Sequence, residues 1–521
     1  MTTHLLVIDA GTGSGRAVVF DREGNQIGFA QEEWRHLPEA GVPGSMSFDV
    51  AAAWALLRRC IGKALAACGL AGRDIAAVSS TSMREAIVLY GDDGREVWAV
   101  ANVDSRSGAE VAELKARSAD FERDFYEISG ETFALGALPR LNWLRRHRPE
   151  TFAKARSISM INDWIGARLT GEITVEPSNA STNGLLDLTT RQWSDALVAK
   201  AQLDRSLFPR VVEPATVVGR VTRAAADETG LAEGTPFVAG GGDVQMGSVG
   251  LGVVAPGDAA VLGGTFWQQV VNIPPGSVDR TMRVRVNSAA VGGMNQAEAI
   301  SFFVGLTARW FRDAFCAEEM KAAAASGRDA YDLIEDLAMQ VPAGANGIIP
   351  VFSDAMDFGN WYHAAPSLLN LSIDPAIANK GSIFRAIQEN AAIVAAVNLA
   401  RVEEFARVDS SGPLTFAGGA SKGRLWPQIV ADVTGRQLRM PKVREATALG
   451  GAAAAACGIG QFASLQEAGA AFVRWDRTVE PNPANRALYD EARGRWEVAY
   501  AAQRKLVDAG VTTTMWRAPG T

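Results

Sequence analysis

The segment LLVIDAGTGSGRAVVFDREGNQIG, beginning at Leu5, constrains the fold more than any other part of the chain. An apolar run ends in Asp9, passes through the small residues Gly11, Thr12, Gly13, Ser14 and Gly15, and leaves as a second apolar run, RAVVFD. The pattern predicts a β-hairpin. A turn of this composition offers an anion backbone N–H groups and two hydroxyls, with Arg16 beside it. The strand-end carboxylate of Asp9 is placed to hold a metal ion. Rival nucleotide motifs fail on their residues. A G-x-G-x-x-G fingerprint needs glycine where Arg16 stands and a helix where RAVVFD reads as a strand, and no G-x-x-x-x-G-K-[ST] occurs. Taken alone, the segment reads equally well as an ordinary hairpin closed by a glycine turn.

A second segment echoes the first about 250 residues later: VVAPGDAAVLGGTFWQQVVNI, again strand, Gly/Thr turn, strand. The 521 residues exceed what one hydrophobic core organises. The echo therefore suggests two related halves, 1–250 and 251–521, with the boundary near residue 250. The first hundred residues read as three strands, a helix from about Asp49 to Cys68, and two strands. Helical patterns dominate from Ser107 to Arg168, and the polar EPSNASTNGLLDL from Glu176 reads as a loop or ligand wall. Further on lie a long amphipathic helix over 383–407 and the strand–turn–helix LTFAGGASKGRLW. REATALGGAAAA then reads as a helix bare enough to approach another backbone closely.

A formal charge of −7 argues against a dedicated nucleic-acid or anionic-membrane binder. Four cysteines without C-x-x-C spacing suggest reduced thiols and a cytoplasmic protein. Four unpaired histidines make a zinc site unexpected and point to a carboxylate as any general base. Asp9 interrupts the first apolar run, so no signal peptide is expected. The small-residue run GGAAAAACGIG falls well short of a membrane span.

Several short motifs could carry chemistry. In GGGDVQ, three glycines present Asp243 at a strand end, where a carboxylate can orient a hydroxyl and accept its proton; a helix-capping turn is the plain alternative. Gly263, Gly264 and Thr265 form a turn able to clamp a phosphate. Gly418, Gly419 and Ala420 leave room for a flat ring against backbone, although tight strand–helix packing explains them as well. Arg84–Glu85 and Asp104 with Arg106 follow strand-like runs, where paired charges either bind vicinal hydroxyls or form surface ion pairs. Trp310, Phe311 and Phe315 read as core, and FGNWYHAA places His363 in a turn-like context.

The order of these motifs is more specific than any one of them. DAGTGSGR, SMREAIVLY, NVDSR, LPRLNWL, GGGDVQ, GGTFW, FAGGASKG and REATALGG follow one another as in the FGGY carbohydrate kinases, and the chain resembles that family over nearly its whole length. The resemblance implies an α/β fold of two actin-like (ribonuclease H-like) domains flanking a cleft, with ATP as the donor and Mg²⁺ as its partner. By that resemblance Asp243 is the catalytic base and also borders the metal with Asp9. Thr12, Gly13, Ser14 and Arg16 make the first phosphate loop, Gly264 and Thr265 the second, and Gly419 and Ala420 the adenosine site. Arg84, Glu85, Asp104, Asp243 and Gln268 line the substrate pocket. Two positions depart from glycerol-specific members: Val244 stands where they carry Gln, and Gln268 where they carry an aromatic. The segments SMREAIVLY, LGGTFWQQVVN, ISFFVGLTARWFRDAFCAEE, WYHAAPSLLNLSID and EATALGGAAAA most resemble members acting on the terminal hydroxyl of linear 4,5-dihydroxy-2,3-pentanedione. A pentulokinase is the alternative within the family, and an actin-like ATPase switch the alternative outside it. The implied partner is a small molecule, not nucleic acid or membrane; relatives also leave room for a regulatory protein and a homo-oligomer.

Overall fold

The computed structural model describes residues 3–352, 355–518 and 520. Two large mixed sheets organise it. The first contains β1 (His4–Ala10), β2 (Ser14–Phe20), β3 (Gln26–Glu33), β4 (Ile75–Ser82), β5 (Val217–Arg220) and β6 (Pro236–Gly242), in the order β5-β6-β4-β1-β2-β3. β1, β2 and β3 form an antiparallel meander, β4 runs parallel to β1, β6 runs parallel to β4, and β5 closes the edge antiparallel to β6.

The second sheet contains β7 (Ala259–Gly263), β8 (Trp267–Ile273), β9 (Arg285–Ser288), β10 (Asn295–Ser301), β11 (Leu414–Gly418), β12 (Leu438–Pro441) and β13 (Trp475–Val479), in the order β9-β10-β8-β7-β11-β12-β13. From β10 to β13 its strand directions repeat those of the first sheet. β9 is an extra antiparallel edge strand beyond β10. The echo between the two glycine turns is thus the trace of a repeated topology.

Local chemistry accounts for the elements that frame the cleft. Leu5 to Ile8 of β1 are buried on both faces, as an unbroken aliphatic run requires. Helix α1 (Val50–Ala67) starts where Asp49 accepts hydrogen bonds from the N–H groups of Ala51 and Ala52 at 3.1 and 2.9 Å. Such a cap stabilises a helix by about 1 kcal/mol. Trp54, Leu57, Ile61 and Leu65 then pack in the same cluster as Leu6 and Ile8. Three strands follow α1 where two were expected, because Ile87–Tyr90 forms the centre of a separate small sheet, paired on one side with Glu96–Val100 and on the other with Ser157–Met160.

Two other expectations are corrected. Helix α2 (Lys380–Ala406) occupies the expected long segment but is buried around most of its circumference, enclosed by the second sheet and the helices Ala330–Met339 and Leu425–Thr434. Of the aromatic trio only Phe311 is core; Trp310 and Phe315 are 44% and 50% exposed. Trp310 leaves the helix axis in a different direction from its neighbour Phe311, and Phe315 is the last residue of that helix.

The helices after β6 and β12 occupy equivalent places in the repeat. These are Asp243–Gly250 and Ala446–Gly458, and they cross in near backbone contact. A Cβ on Gly450 would meet the Met246 carbonyl oxygen at 1.9 Å, and one on Gly250 the Ala446 carbonyl oxygen at 2.0 Å. The 446–458 helix also packs on the first sheet, where Leu449 and Ala452 join Leu5, Val7 and Val238 in one cluster. Val244 of the 243–250 helix packs instead with Ala260, Val270 and Ala417 of the second sheet. Each helix therefore ties its own half to the other. Among the described residues no helix is long and apolar enough to cross a membrane.

Candidate active site

A cleft of about 1700 Å³ opens at the start of the 243–250 helix, and Asp243, Gly264, Thr265, Gln268 and Gly419 all line it. The glycines are there for geometric reasons. Gly418 has φ of 99°, and a Cβ on it would meet the Gly263 carbonyl oxygen at 2.6 Å, so the ends of β7 and β11 close on each other only through glycine. Gly419 opens a 3₁₀ turn, Gly419–Lys422, that Arg477 fixes by donating to the Ser421 and Gly423 carbonyls at 2.6 and 2.5 Å. Ala420 lies behind that wall, where a Cβ on Gly263 would touch it at 2.9 Å.

The hairpin turn of the first sheet does not itself line this cleft. Trp34 Nε1 donates to the carbonyls of Gly11 and Thr12 at 3.1 and 3.2 Å, and Asn102 donates to Thr12 Oγ1 at 2.9 Å. Gly13 is exposed at the tip, and Ser14 is buried at the start of β2. Arg16 joins the turn to the cleft. Its Nη1 lies 3.3 Å from Asp9 and 2.9 Å from Glu445, a cleft-wall residue. Asp9 sits buried near the end of β1 and accepts a hydrogen bond from Thr81 Oγ1 at 2.8 Å. Burial raises its pKa, Arg16 and Thr81 oppose the rise, and Glu445 adds to it.

Asp243 stands at the N-terminus of its helix with its side chain 37% open to the cleft and otherwise enclosed. That enclosure pushes its pKa up to about 7; Arg84 opposes the rise, while Glu85 and Asp9 reinforce it. A carboxyl so poised can accept a proton near neutral pH. Arg84 Nε lies 3.5 Å from Asp243, and its two terminal nitrogens grip Glu298, one at 2.9 Å. Gln268 donates to the same Glu298 carboxylate at 3.3 Å. Burial alone would raise the Glu298 pKa, but Arg84 outweighs it and holds the carboxyl below its usual range.

Glu85 pairs with Arg285 at 2.6 Å. Its φ of 62° is left-handed backbone in a residue other than glycine, a strain that clusters at functional sites. Its N–H donates to Thr182 Oγ1 at 3.1 Å. The segment from Glu176, read from sequence as a loop or ligand wall, is a buried wall, with Glu176 capping a helical turn by accepting from the N–H groups of Ser178 and Asn179.

The structure does not bring Asp104 into this group. Its carboxylate accepts from Arg106 Nε at 2.8 and 3.0 Å and from the Met46 N–H at 2.5 Å, with its side chain wholly buried. Glu298, Arg285 and Glu445 are the residues that sequence reasoning missed. The signal was there for the first two: a lone charge inside a strand otherwise made of buried uncharged residues is costly unless paired.

Asp9 and Asp243 offer hard carboxylate oxygens, the donor set that Mg²⁺ takes together with nucleotide phosphates. No group of three or more His, Cys, Asp or Glu able to hold a metal occurs among the described residues.

Residues 4–250 match the model of the N-terminal domain of the FGGY family of carbohydrate kinases, and residues 279–459 that of its C-terminal domain. The chain is 54% identical over 519 residues to the autoinducer-2 kinase of Klebsiella pneumoniae subsp. pneumoniae, covering 99% of this chain and 97% of that protein. It is 53% identical over 518 residues to the autoinducer-2 kinase of Salmonella typhimurium, covering 99% and 98%. Among solved structures, the xylulose kinase from Rhodospirillum rubrum superposes with a TM-score of 0.85 at 24% identity, over 97% of this chain and 100% of that one. The gluconate kinase from Lactobacillus acidophilus gives 0.85 at 19% identity, over 96% and 98%. These likenesses show the fold of two actin-like domains.

Proposed function

The chain belongs to the FGGY family of carbohydrate kinases, and from that premise we propose that it transfers the γ-phosphate of ATP to the terminal hydroxyl of linear 4,5-dihydroxy-2,3-pentanedione, a step in the processing of a quorum signal. The observation that carries this reading is the likeness to autoinducer-2 kinases over 99% of the chain. The site supports it: a cleft-facing carboxylate, Asp243, stands beside an arginine, a glutamate and a glutamine that can hold hydroxyl and carbonyl oxygens. Gln268 in place of an aromatic makes a pocket that binds oxygens rather than a hydrocarbon face.

In this reading residues 1–250 carry the first phosphate loop, the substrate pocket and the base, and residues 251–521 the second phosphate turn and the adenosine site. Backbone N–H groups of the Gly263–Thr265 turn, which lines the cleft, stabilise charge on the group in transfer, and closure of the two halves would bring the Gly11–Gly15 turn up to it. Asp243 orients the substrate hydroxyl and accepts its proton. Asp9 and Asp243 would hold Mg²⁺ together with the nucleotide, and the ion would supply neutralisation of the phosphate charge. Arg16, spanning Asp9 and Glu445, holds the two halves in register.

The product identifies the reaction. In a proton-coupled ³¹P spectrum, phosphate on the terminal CH₂OH carbon gives a triplet. A doublet, from phosphate on the secondary hydroxyl, overturns the assignment of the acceptor. An uncoupled inorganic phosphate line alone overturns the kinase in favour of an ATPase switch.

A further inference from the structure

Two motifs of the sequence, NVDSR and LPRLNWL, line no part of the cleft, and both lead back to the first glycine turn. Around that turn the acceptors are engaged. The Gly11 and Thr12 carbonyls accept from Trp34 Nε1, the Thr12 carbonyl also from His36 Nε2 at 2.7 Å, and the Gly13 carbonyl from the Trp34 N–H at 3.1 Å. The Thr12 hydroxyl oxygen accepts from Asn102 Nδ2 at 2.9 Å. The donors differ. Gly11 N–H closes the turn onto the Ser14 carbonyl at 2.9 Å, but among the described residues none accepts from the Thr12 N–H, the Gly13 N–H or the Thr12 O–H. Thr12 and Gly13 are exposed, and a Cβ on Gly13 meets nothing within 4 Å, so a ligand can reach them. A turn with its carbonyls drawn back and its donors open attracts an anion.

Asn102 decides what the Thr12 hydroxyl can do. A hydroxyl has a single proton to give. With Asn102 Nδ2 donating to the oxygen, that proton is left for another acceptor, and a phosphate oxygen is one. Asn102 is held in turn by Arg140, a buried residue of the LPRLNWL motif. The Arg140 guanidinium donates to the backbone carbonyls of Asn102 at 2.9 Å, of Asp104 at 3.1 Å and of Glu85. One buried cation therefore fixes both the strut behind the turn and the segment that carries Arg84 to Asp243.

We propose that Asn102 is a positioning residue for phosphoryl transfer: it presets the Thr12 hydroxyl as a hydrogen-bond donor to the γ-phosphate of ATP when the halves close over it, and Arg140 ties that setting to the acceptor side of the site. The NVDSR motif then serves the phosphate turn through Asn102, while Asp104 stays buried on Arg106. This assignment deepens the proposed reaction and rests on it.

Asn102→Ala, Asn102→Asp and Thr12→Val test the role through kcat, KM for 4,5-dihydroxy-2,3-pentanedione, Kd for ADP, and Tm. Asn102→Ala is expected to lower kcat about three- to tenfold, the range for a neutral hydrogen bond. Asn102→Asp should lower it about ten- to a hundredfold, because a carboxylate takes the Thr12 proton and sets a negative charge beside the phosphate. KM for the acceptor, Kd for ADP (which lacks the γ-phosphate) and Tm stay at their wild-type values. In the Thr12→Val background Asn102→Ala costs nothing further, since no hydroxyl is left to orient. Full activity in Asn102→Asp means that the Thr12 proton points at residue 102, and overturns the proposal. So do additive losses in the double variant, an unchanged kcat in Asn102→Ala, or a raised acceptor KM alone, which makes Asn102 a substrate contact. A loss of Tm that tracks the loss of kcat across the variants makes the role structural and overturns it as well. If the wild type phosphorylates xylulose and not the pentanedione, the proposed reaction has failed, and the same variants measured on xylulose still decide the role of Asn102.

Discussion

Asp243, the proposed base, is open to the cleft yet enclosed enough that its pKa rises to about 7. General-base assistance is worth about 10²–10⁴-fold, so Asp243→Asn should lose at least about 10²-fold in kcat. Equilibrium binding of ATP should survive in that variant. A kcat within a few-fold of wild type refutes the role. The raised pKa sets the direction of a pH profile. Below about pH 7 the free enzyme holds the proton that the base must accept, so kcat/KM should climb with pH and level off above it. A profile flat from pH 5.5 to 8 contradicts the assignment.

Arg84, Glu85 and Asp243 stood out as candidates because each sits beside a glycine turn or at a strand end, whereas Gln268 came only from the family resemblance. What each one touches was not legible. Arg84 finds Glu298 and Glu85 finds Arg285 across about 200 residues of sequence, and no local pattern encodes such pairing. Asp104 looked equal to Glu85 in sequence. The difference lies in Arg106, two residues on, which folds back to take up its carboxylate.

At the scale of elements, the crossing of the 243–250 and 446–458 helices is the most exacting contact. Gly450→Ala places a methyl group within 1.9 Å of a carbonyl oxygen and so forces the helices apart. Overpacking of this kind costs about 1–3 kcal/mol, to be read from urea denaturation. Gly62→Ala in α1 is the matched control, since a Cβ there meets nothing within 4 Å. It should stabilise by about 0.5–1 kcal/mol through helix propensity alone. Equal effects at the two positions would show that the close crossing is not what constrains Gly450. The run GGAAAA announced this contact, since only a helix without bulk packs so near. The partner helix could not be read the same way, because DVQMGSVG looks unremarkable until Gly250 is seen beneath Ala446.

For the whole molecule, buried carboxyls set how stability depends on pH. Burial raises the pKa values of Asp163, of Glu176 and Glu131 to about 7 each, and of Asp243. Each group therefore binds a proton more tightly folded than unfolded; the stability from Glu176 and Glu131 is lost as pH rises from about 4.5 through 7 and that from Asp243 from about 3.8 through 7, with Asp163 acting in the same direction. Glu298, whose pKa is lowered, changes only below that window, and His36, lowered by burial, opposes the trend only below pH 6.5. The ligand-free protein should thus melt at a lower temperature at pH 8 than at pH 6.5, with a smaller difference in Glu176→Gln. A higher Tm at pH 8 contradicts this balance. The two-half architecture was legible from a repeated strand–turn–strand pattern alone. The interlocking of the halves was not, because the small residues of the 446–458 helix signal a close approach without naming the partner it makes.

The central claim, ATP-dependent phosphorylation of a small neutral dihydroxylated dicarbonyl compound, meets its most direct test in kcat/KM with ATP across four acceptors: 4,5-dihydroxy-2,3-pentanedione, xylulose, ribulose and glycerol. The account predicts the highest value for the pentanedione and the lowest for glycerol. A higher value for either pentulose, or for glycerol, would contradict it.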